Sequence, residues 1–301
     1  LRAVLPAECS LFEALRNLVP GASNRTLRQM LEQGRIRLNG KTCKIASRKA
    51  QRGDVVEVGS RAAPARPIHG LEILYEDDDI LVVCKPAGLL TVATAHERER
   101  TAYAHLRQYV KQHKPKQRIF IVHRLDKYAS GLVVFAKSEA VQARLKACFK
   151  KHKIQRRYWA IVEGRISEQR GTIRSYLAEA RDTRMHSTEN IAEGKYAVTH
   201  YHVLRRLSDL TSLEVTLETG RKNQIRAHLA ELGHPIVGDR AYGSKIDPLG
   251  RLGLHAFCLG FEHPTHGSFL LHETEPPPEF TRYLPSRPDD GPRGTARREP
   301  Q

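Results

Sequence analysis

The sequence predicts an α+β fold with a mainly antiparallel or mixed sheet, preceded by a small N-terminal module. Segments with strand-like alternation and segments with helical spacing follow one another irregularly, not as repeated strand–helix–strand units, and this argues against a doubly wound parallel sheet. The composition also breaks twice. Residues 60–70 are rich in Pro, Ala and Arg without apolar periodicity, and from 285 onward the chain holds Pro, Gly, Arg and Asp but no large apolar residue. These breaks divide the chain into an N-terminal module at 8–59, a linker at 60–70, a larger domain at 71–284 and a basic tail at 285–301 that is expected to be disordered.

In the module, Ser10 and Glu13 have capping-box spacing, and Leu11, Phe12, Leu15 and Leu18 form an apolar face behind them. A second helix is expected over 24–33, where Leu27, Met30 and Leu31 stand at i, i+3 and i+4 and Gly34 is placed to end it. Ile36 and Leu38 then alternate with Arg35 and Arg37, Asn39-Gly40 supplies a two-residue hairpin turn, and a strand at 55–58 follows a Gly53-Asp54 turn. Arg25, Arg28, Arg35 and Arg37, with Lys41 and Lys44, fall largely on the polar side of this plan. Such a helix pair and hairpin can grip phosphates while the apolar side closes a small core. The plainer alternative is a charged, solvated face without a partner.

In the larger domain, strands are expected at 71–75 and 80–85, around the acidic turn Glu76-Asp77-Asp78-Asp79, and again at 119–123 and 131–137. The segment 156–164 reads as a strand, as does 211–218, where Leu213, Val215 and Leu217 share one face. Helices fit 101–112, 139–150 and 224–232.

Lys and Arg total 50 against 33 Asp and Glu, a net charge of +17. An excess of that size points to a polyanionic partner, of which nucleic acid is the commonest in a cell. Cys9, Cys43, Cys84, Cys148 and Cys258 lie far apart without a CxxC pair, which fits neither a zinc site nor a disulfide framework and suits a reducing cytoplasm. No apolar run approaches the ~20 residues a membrane-spanning helix needs, and residues 1–6 lack the apolar stretch of a secretion signal.

Three clusters have the residue types for chemistry. In His123-Arg124-Leu125-Asp126-Lys127, between two expected strands, the cations around Asp126 favour its ionised form, as a nucleophile or base requires. Seen alone, an Asp in such a loop is more often a turn former or surface ion-pair partner. The second cluster runs from Thr219-Gly220-Arg221 into a helix and places Arg226 in its early turns, where the helix dipole does not favour a cation. An acidic partner elsewhere would explain it, although an ordinary solvated Arg would look the same. Tyr158, early in a strand, fits a base-stacking ring and a core residue equally well. His263 and His266 have a spacing that invites a metal, but with no Cys or carboxylate nearby in sequence a turn is the better reading.

The segment running from Ser23-Asn24-Arg25 to Asn39-Gly40-Lys41 resembles the αL-type RNA-binding module of ribosomal protein S-four. Over 71–284 the chain resembles the RluA-type pseudouridine synthases. HRLDKYASGL is similar to their catalytic-loop motif, RRYWAIVEG to the segment bearing the active-site tyrosine, GRKNQIRAHLAELGHPIVGDRAYG to the segment bearing the basic partner, and LHAFCLGFEHP to the closing strand. Two positions depart from the family pattern: Ala129 stands where Thr is common and Asn223 where His is common.

The resemblance implies a pseudouridine synthase fold and an isomerase that detaches uracil from ribose and rejoins it through carbon. Asp126, Tyr158 and Arg226 would be catalytic, and Arg124 would help extrude the nucleotide. The module's Arg25, Arg28, Arg35 and Arg37 would bind substrate. The expected partner is RNA, large-subunit ribosomal RNA foremost and transfer RNA as the alternative. No cofactor, metal or membrane is expected, and the chain is expected to be a cytoplasmic monomer. A non-catalytic RNA-binding factor and a glycosidic hydrolase remain as competing readings. The hydrolase would need a second carboxylate, which the matched motifs do not supply.

Overall fold

The computed structural model describes residues 1–32, 35–58 and 70–285. The expected linker and tail therefore lie almost wholly outside the described residues, as do Gln33 and Gly34. The chain forms two compact units. The first comprises Leu1–Tyr158, Thr216–Lys222 and Ala256–Thr274; the second comprises Trp159–Val215, Asn223–His255 and the residues from Glu275 on.

The first unit opens with the expected module. Helix α1, Leu11–Leu18, begins with a complete capping box, in which the Ser10 hydroxyl accepts from the Glu13 amide at 3.2 Å and the Glu13 carboxylate accepts from the Ser10 amide at 2.9 Å. Helix α2, Asn24–Glu32, starts where the Ser23 hydroxyl accepts from the Thr26 amide at 3.1 Å. Asn39 and Gly40 both take positive φ, 51° and 77°, as a type I′ hairpin turn requires, and join the strands Ile36–Leu38 and Lys41–Thr42. The strand Val55–Val58 pairs with Ile36–Leu38 on one side and with Arg2–Val4 on the other, so the module's ladder starts upstream of residue 8. Leu11, Leu15, Leu27, Leu31, Ile36 and Val56 close its core.

The same unit continues as an antiparallel sheet. Glu72–Glu76 pairs with Ile80–Lys85, which pairs with Ser130–Ala136, and the two-residue strand Phe120–Ile121 lies against the end of the last. Leu254–Glu262 pairs through its later residues with Phe269–Glu273. Helix α3, Ala102–His113, is capped by Thr101, and helix α4, Glu139–Lys150, by Ser138; in each the hydroxyl accepts from the amide three residues on. Val141 and Leu145 of α4 pack on Ile80, Val82, Leu132, Val134 and Phe261. Ser130–Ala136 is buried throughout, which its run of apolar residues demands.

The second unit is built on a ladder that the sequence reading did not outline. Arg170–Glu179 pairs antiparallel with Lys195–Arg206 and with Met185–Thr188. Helix α5, Gln224–Glu231, covers it, with Ala227 against Leu177, Met185 and Ala197.

Candidate active site

The loop between Phe120–Ile121 and Ser130–Ala136 carries Asp126, and the segment from Lys85 to Thr91 together with the strand after the loop holds it. Lys85 is 0 % exposed, and its ammonium donates to the carbonyls of Pro86 (2.8 Å), Leu89 (2.8 Å), Lys127 (3.2 Å) and Ala129 (2.6 Å). It thereby ties the chain just after Asp126 to the segment from Pro86 to Leu89. The Thr91 hydroxyl donates to the Leu125 carbonyl at 2.8 Å and stands 3.1 Å from the Leu125 amide. His123 Nε2 accepts from the Val134 amide at 3.1 Å. Burial, followed by the nearby Arg156 charge, holds the His123 pKa down to about 3, so it is a neutral loop anchor at physiological pH. The carboxylate is thus partly exposed on a loop whose neighbouring backbone groups are already fixed, the arrangement that pre-organised chemistry requires.

Tyr158 is 7 % exposed. Burial pushes its hydroxyl pKa up; the Arg156 cation opposes the rise and the Asp126 carboxylate adds to it, which places the phenol within electrostatic reach of both. Arg156 donates to the carbonyls of Glu218 and Thr219, both at 3.3 Å. A Cβ on Gly220 would come within 2.5 Å of the tip of the Arg156 side chain, which would have to shift to make room.

In the second unit, Arg226 has an acidic partner. Its guanidinium forms a two-pronged pair with Asp239, at 2.7 and 2.8 Å, donates to Asn223 Oδ1 at 3.0 Å, and lies over the Tyr242 ring at 4.7 Å. Helix α5 is locked by residues on another face: Gln224 donates to the Val198 carbonyl at 3.0 Å, and the His228 ring bridges Thr199 (2.8 Å) and Ser175 (3.0 Å).

Both departures from the family pattern are accommodated. Ala129 contributes its carbonyl to Lys85, a role open to any residue type. Asn223 sits at φ 50°, a left-handed conformation that Asn tolerates, and its side chain serves Arg226.

The sequence did not single out Lys85, Thr91 or Asp239. A lysine ending the apolar strand Ile80–Lys85, directly before Pro86, was the available signal for the first. Asp239 has none short of the fold.

Of the module's arginines, Arg25, Arg28 and Arg37 are exposed. Arg35 differs from its expected place on the phosphate-facing side: it is 5 % exposed, with its guanidinium 5.1 Å over the Tyr75 ring and 3.4 Å from the Tyr75 hydroxyl. The strand starts at Ile36, so Arg35 falls outside the alternation that would have aligned it with Arg37.

The structure also brings a carboxylate to His263, which sequence proximity did not suggest. Asp77 Oδ2 lies 2.9 Å from His263 Nε2 and accepts from the Tyr75 hydroxyl at 2.6 Å. The ligand-type atoms of Asp77, His263 and His266 lie within 4.8 Å of one another. Yet His263 and His266 stack with parallel rings 3.6 Å apart, so their in-plane lone pairs do not converge on one ion, and His263 Nδ1 already accepts from the Thr265 amide at 3.2 Å. The cluster is a hydrogen-bonded brace.

Comparison with known proteins identifies the family. The profile for RNA pseudouridylate synthase matches residues 79–231, more than half the chain, and that for the S4 domain matches 11–56. The chain belongs to the RNA pseudouridylate synthase family. An RNA pseudouridine synthase from Bacillus subtilis, itself uncharacterised, is 35% identical over 87% of this chain and 88% of its own length. The ribosomal large subunit pseudouridine synthase D of Pasteurella multocida is 33% identical over 91% and 90%. Among solved structures, human RNA pseudouridylate synthase domain containing 4 shares the fold, with a TM-score of 0.60 at 23% identity over 70% of this chain and 90% of that one. Family membership establishes the isomerase expected from the sequence, acting on RNA, with an RNA-binding S4 domain at its N-terminal end. Among the described residues no helix is long and apolar enough to cross a membrane.

Proposed function

We propose that this chain converts uridine to pseudouridine in large-subunit ribosomal RNA, with Asp126 as the essential carboxylate. Relatives about as long as this chain and named as large-subunit enzymes support the substrate. The observation that carries the site is the loop of Asp126, fixed on both sides by Lys85 and Thr91 and lying beside the buried phenol of Tyr158.

In this reading the bond between uracil N1 and ribose C1′ breaks, the base turns, and a bond forms between C5 and C1′. The C5 proton is lost as N1 gains one, so product and substrate have one formula and no redox partner is consumed. An ionised Asp126 either adds to C1′ or takes the neighbouring ribose proton; both uses need the same poised carboxylate. Tyr158, kept protonated by burial, stacks on the base and offers a hydroxyl donor. Arg226, oriented by Asp239 and Asn223, serves as the basic catalytic residue that the family motif implies. Arg124, exposed beside the carboxylate in sequence, fills the stack vacated by the extruded base. Arg25, Arg28 and Arg37 hold phosphates, while Arg35 fastens the module to Tyr75. The enzyme works as a cytoplasmic monomer without a metal; its five cysteines are all free thiols, as a reducing compartment keeps them.

The test is incubation with unmodified large-subunit ribosomal RNA transcript and mapping of pseudouridine, alongside Asp126→Asn. Wild type is expected to form product at defined positions, and Asp126→Asn to form none while binding the transcript within about threefold of wild type, a difference below ~1 kcal/mol. Turnover by the variant would overturn the assignment of Asp126, and modification of transfer RNA alone would overturn the substrate.

A further inference from the structure

Beside the catalytic loop, within the first unit, lies a cleft of about 500 Å³ in which the reaction places no part of the uridine. Tyr103 of α3, Arg118 and Phe120 around the short strand, Arg124 of the loop, and Gln142 and Lys146 of α4 line it. Its volume is in the range of small-ligand sites, ~300–1,000 Å³. Asp126 and Tyr158 are absent from the lining, so this is not the cavity that receives the reacting base. Arg124 lines it, however, and two residues of chain span at most ~7 Å, so the cleft is bordered by the same loop that carries Asp126.

Its chemistry is that of a single-stranded nucleic-acid subsite: aromatic faces interleaved with cations. The lining contains Arg118, Arg124 and Lys146 and no carboxylate. Arg118 lies 5.2 Å over the Phe120 ring, and its acidic neighbour, Glu139 at 3.9 Å, is as exposed as Arg118 itself, so a phosphate can displace it at little cost. The floor is rigid because the Gln142 amide donates to the Ile121 carbonyl at 2.6 Å.

We propose that this cleft holds a nucleotide adjoining the isomerised uridine, its base against Phe120 and Tyr103 and its phosphate between Arg118 and Lys146. The inference rests on the reading of Asp126 as the catalytic carboxylate of an RNA isomerase. It makes the neighbouring nucleotide part of the recognised substrate, so that extrusion of the uridine and capture of its neighbour occur together.

The experiment uses the full chain and two readouts. The first is binding of pentauridylate as a function of salt. Removing one cation that neutralises a phosphate of a single strand lowers the slope of log affinity against log salt by ~0.7. The double variant Arg118→Ala with Lys146→Ala is therefore expected to flatten the slope by about 1.4; both residues are exposed, so the fold is retained. The second readout is turnover of the mapped RNA with an abasic residue beside the target. Wild type is expected to lose about tenfold in kcat/KM, chiefly through KM, whereas Phe120→Leu is expected to be indifferent to the missing base. An unchanged salt slope, or equal sensitivity of wild type and Phe120→Leu to the abasic residue, overturns the subsite. A flattened slope with no pseudouridine formed by wild type on any RNA overturns the catalytic reading and leaves the subsite standing.

Discussion

Lys85 is a charged group at a position that is 0 % exposed, and carbonyls of Pro86, Leu89, Lys127 and Ala129 surround its ammonium. Replacing it by Met keeps the aliphatic stem but leaves those acceptors without their donor. Hydrogen bonds to a charged group are worth ~1.5–3 kcal/mol each, and truncation effects overlap. Lys85→Met is therefore expected to cost about 3 kcal/mol in urea unfolding and to lower kcat at least tenfold while KM changes little, because the loop and not the RNA-binding surface is disturbed. Unchanged kcat would show that the loop holds Asp126 without the clamp. At this scale the sequence was legible where chemistry gathers in one short segment. Asp126 stood out among cations, and Ser10 with Glu13 announced their reciprocal bonds. Lys85 was not legible because a lysine is by default a surface residue, and its partners are backbone atoms up to 44 residues away that no side-chain pattern betrays. Arg35 was misread because its burial depends on Tyr75, 40 residues along the chain.

At the scale of elements, local signals carried furthest. Helix α4 begins and ends where its spacing implied, and each of α1, α3 and α4 starts at a Ser or Thr that caps it. The strand at 119–123 shrank to Phe120–Ile121 because the residues after it turn into the catalytic loop. The ladder of Arg170–Glu179 with Lys195–Arg206 escaped notice because the inward face of its first strand reads Gly171, Ile173, Ser175, Leu177, where a glycine and a serine interrupt the apolar alternation. Gly131 shows how an element can hinge on one missing atom. Its φ is 116°, and a Cβ there would fall 2.2 Å from the Ala256 carbonyl oxygen, which is backbone and cannot swing aside. Gly131→Ala is expected to destabilise by about 3 kcal/mol or more, seen as a thermal midpoint lower by ~5 °C or more. A midpoint within 1 °C of wild type would contradict the close approach, whereas loss of soluble protein would agree with it.

For the whole molecule, buried and half-buried histidines set how stability responds to acid. Burial holds the pKa of both His123 and His255 down to about 3, with Arg156 and Arg251 respectively adding to the effect, against an ordinary value of 6.5. His272 and His266 are held at about 4, again chiefly by burial. A histidine whose folded pKa lies below its unfolded value favours the folded state fully above pH 6.5, and that contribution is lost as pH falls from there toward the folded value. At ~1.4 kcal/mol per pH unit, His123 and His255 each forfeit up to about 2 kcal/mol by pH 5. Asp77 has the same sign in a lower window: its pKa is held below the ordinary 3.8, mainly by its bond to His263 against the cost of burial, so its contribution persists until pH falls below that value. Tyr158 acts at the other end: its raised pKa confines any loss of stability to pH above about 10. The thermal midpoint is therefore expected to be flat between pH 7 and 9 and to fall by ~5 °C or more between pH 7 and 5, before carboxylates titrate appreciably. His255→Gln should shallow that fall while lowering the midpoint at pH 7, because it removes the titration together with well-packed ring contacts to Trp159 and Phe280. Scanning calorimetry across pH decides the matter. A midpoint constant down to pH 5 would mean that water or local opening solvates these rings in the folded protein, and that their burial does not govern its tolerance of acid.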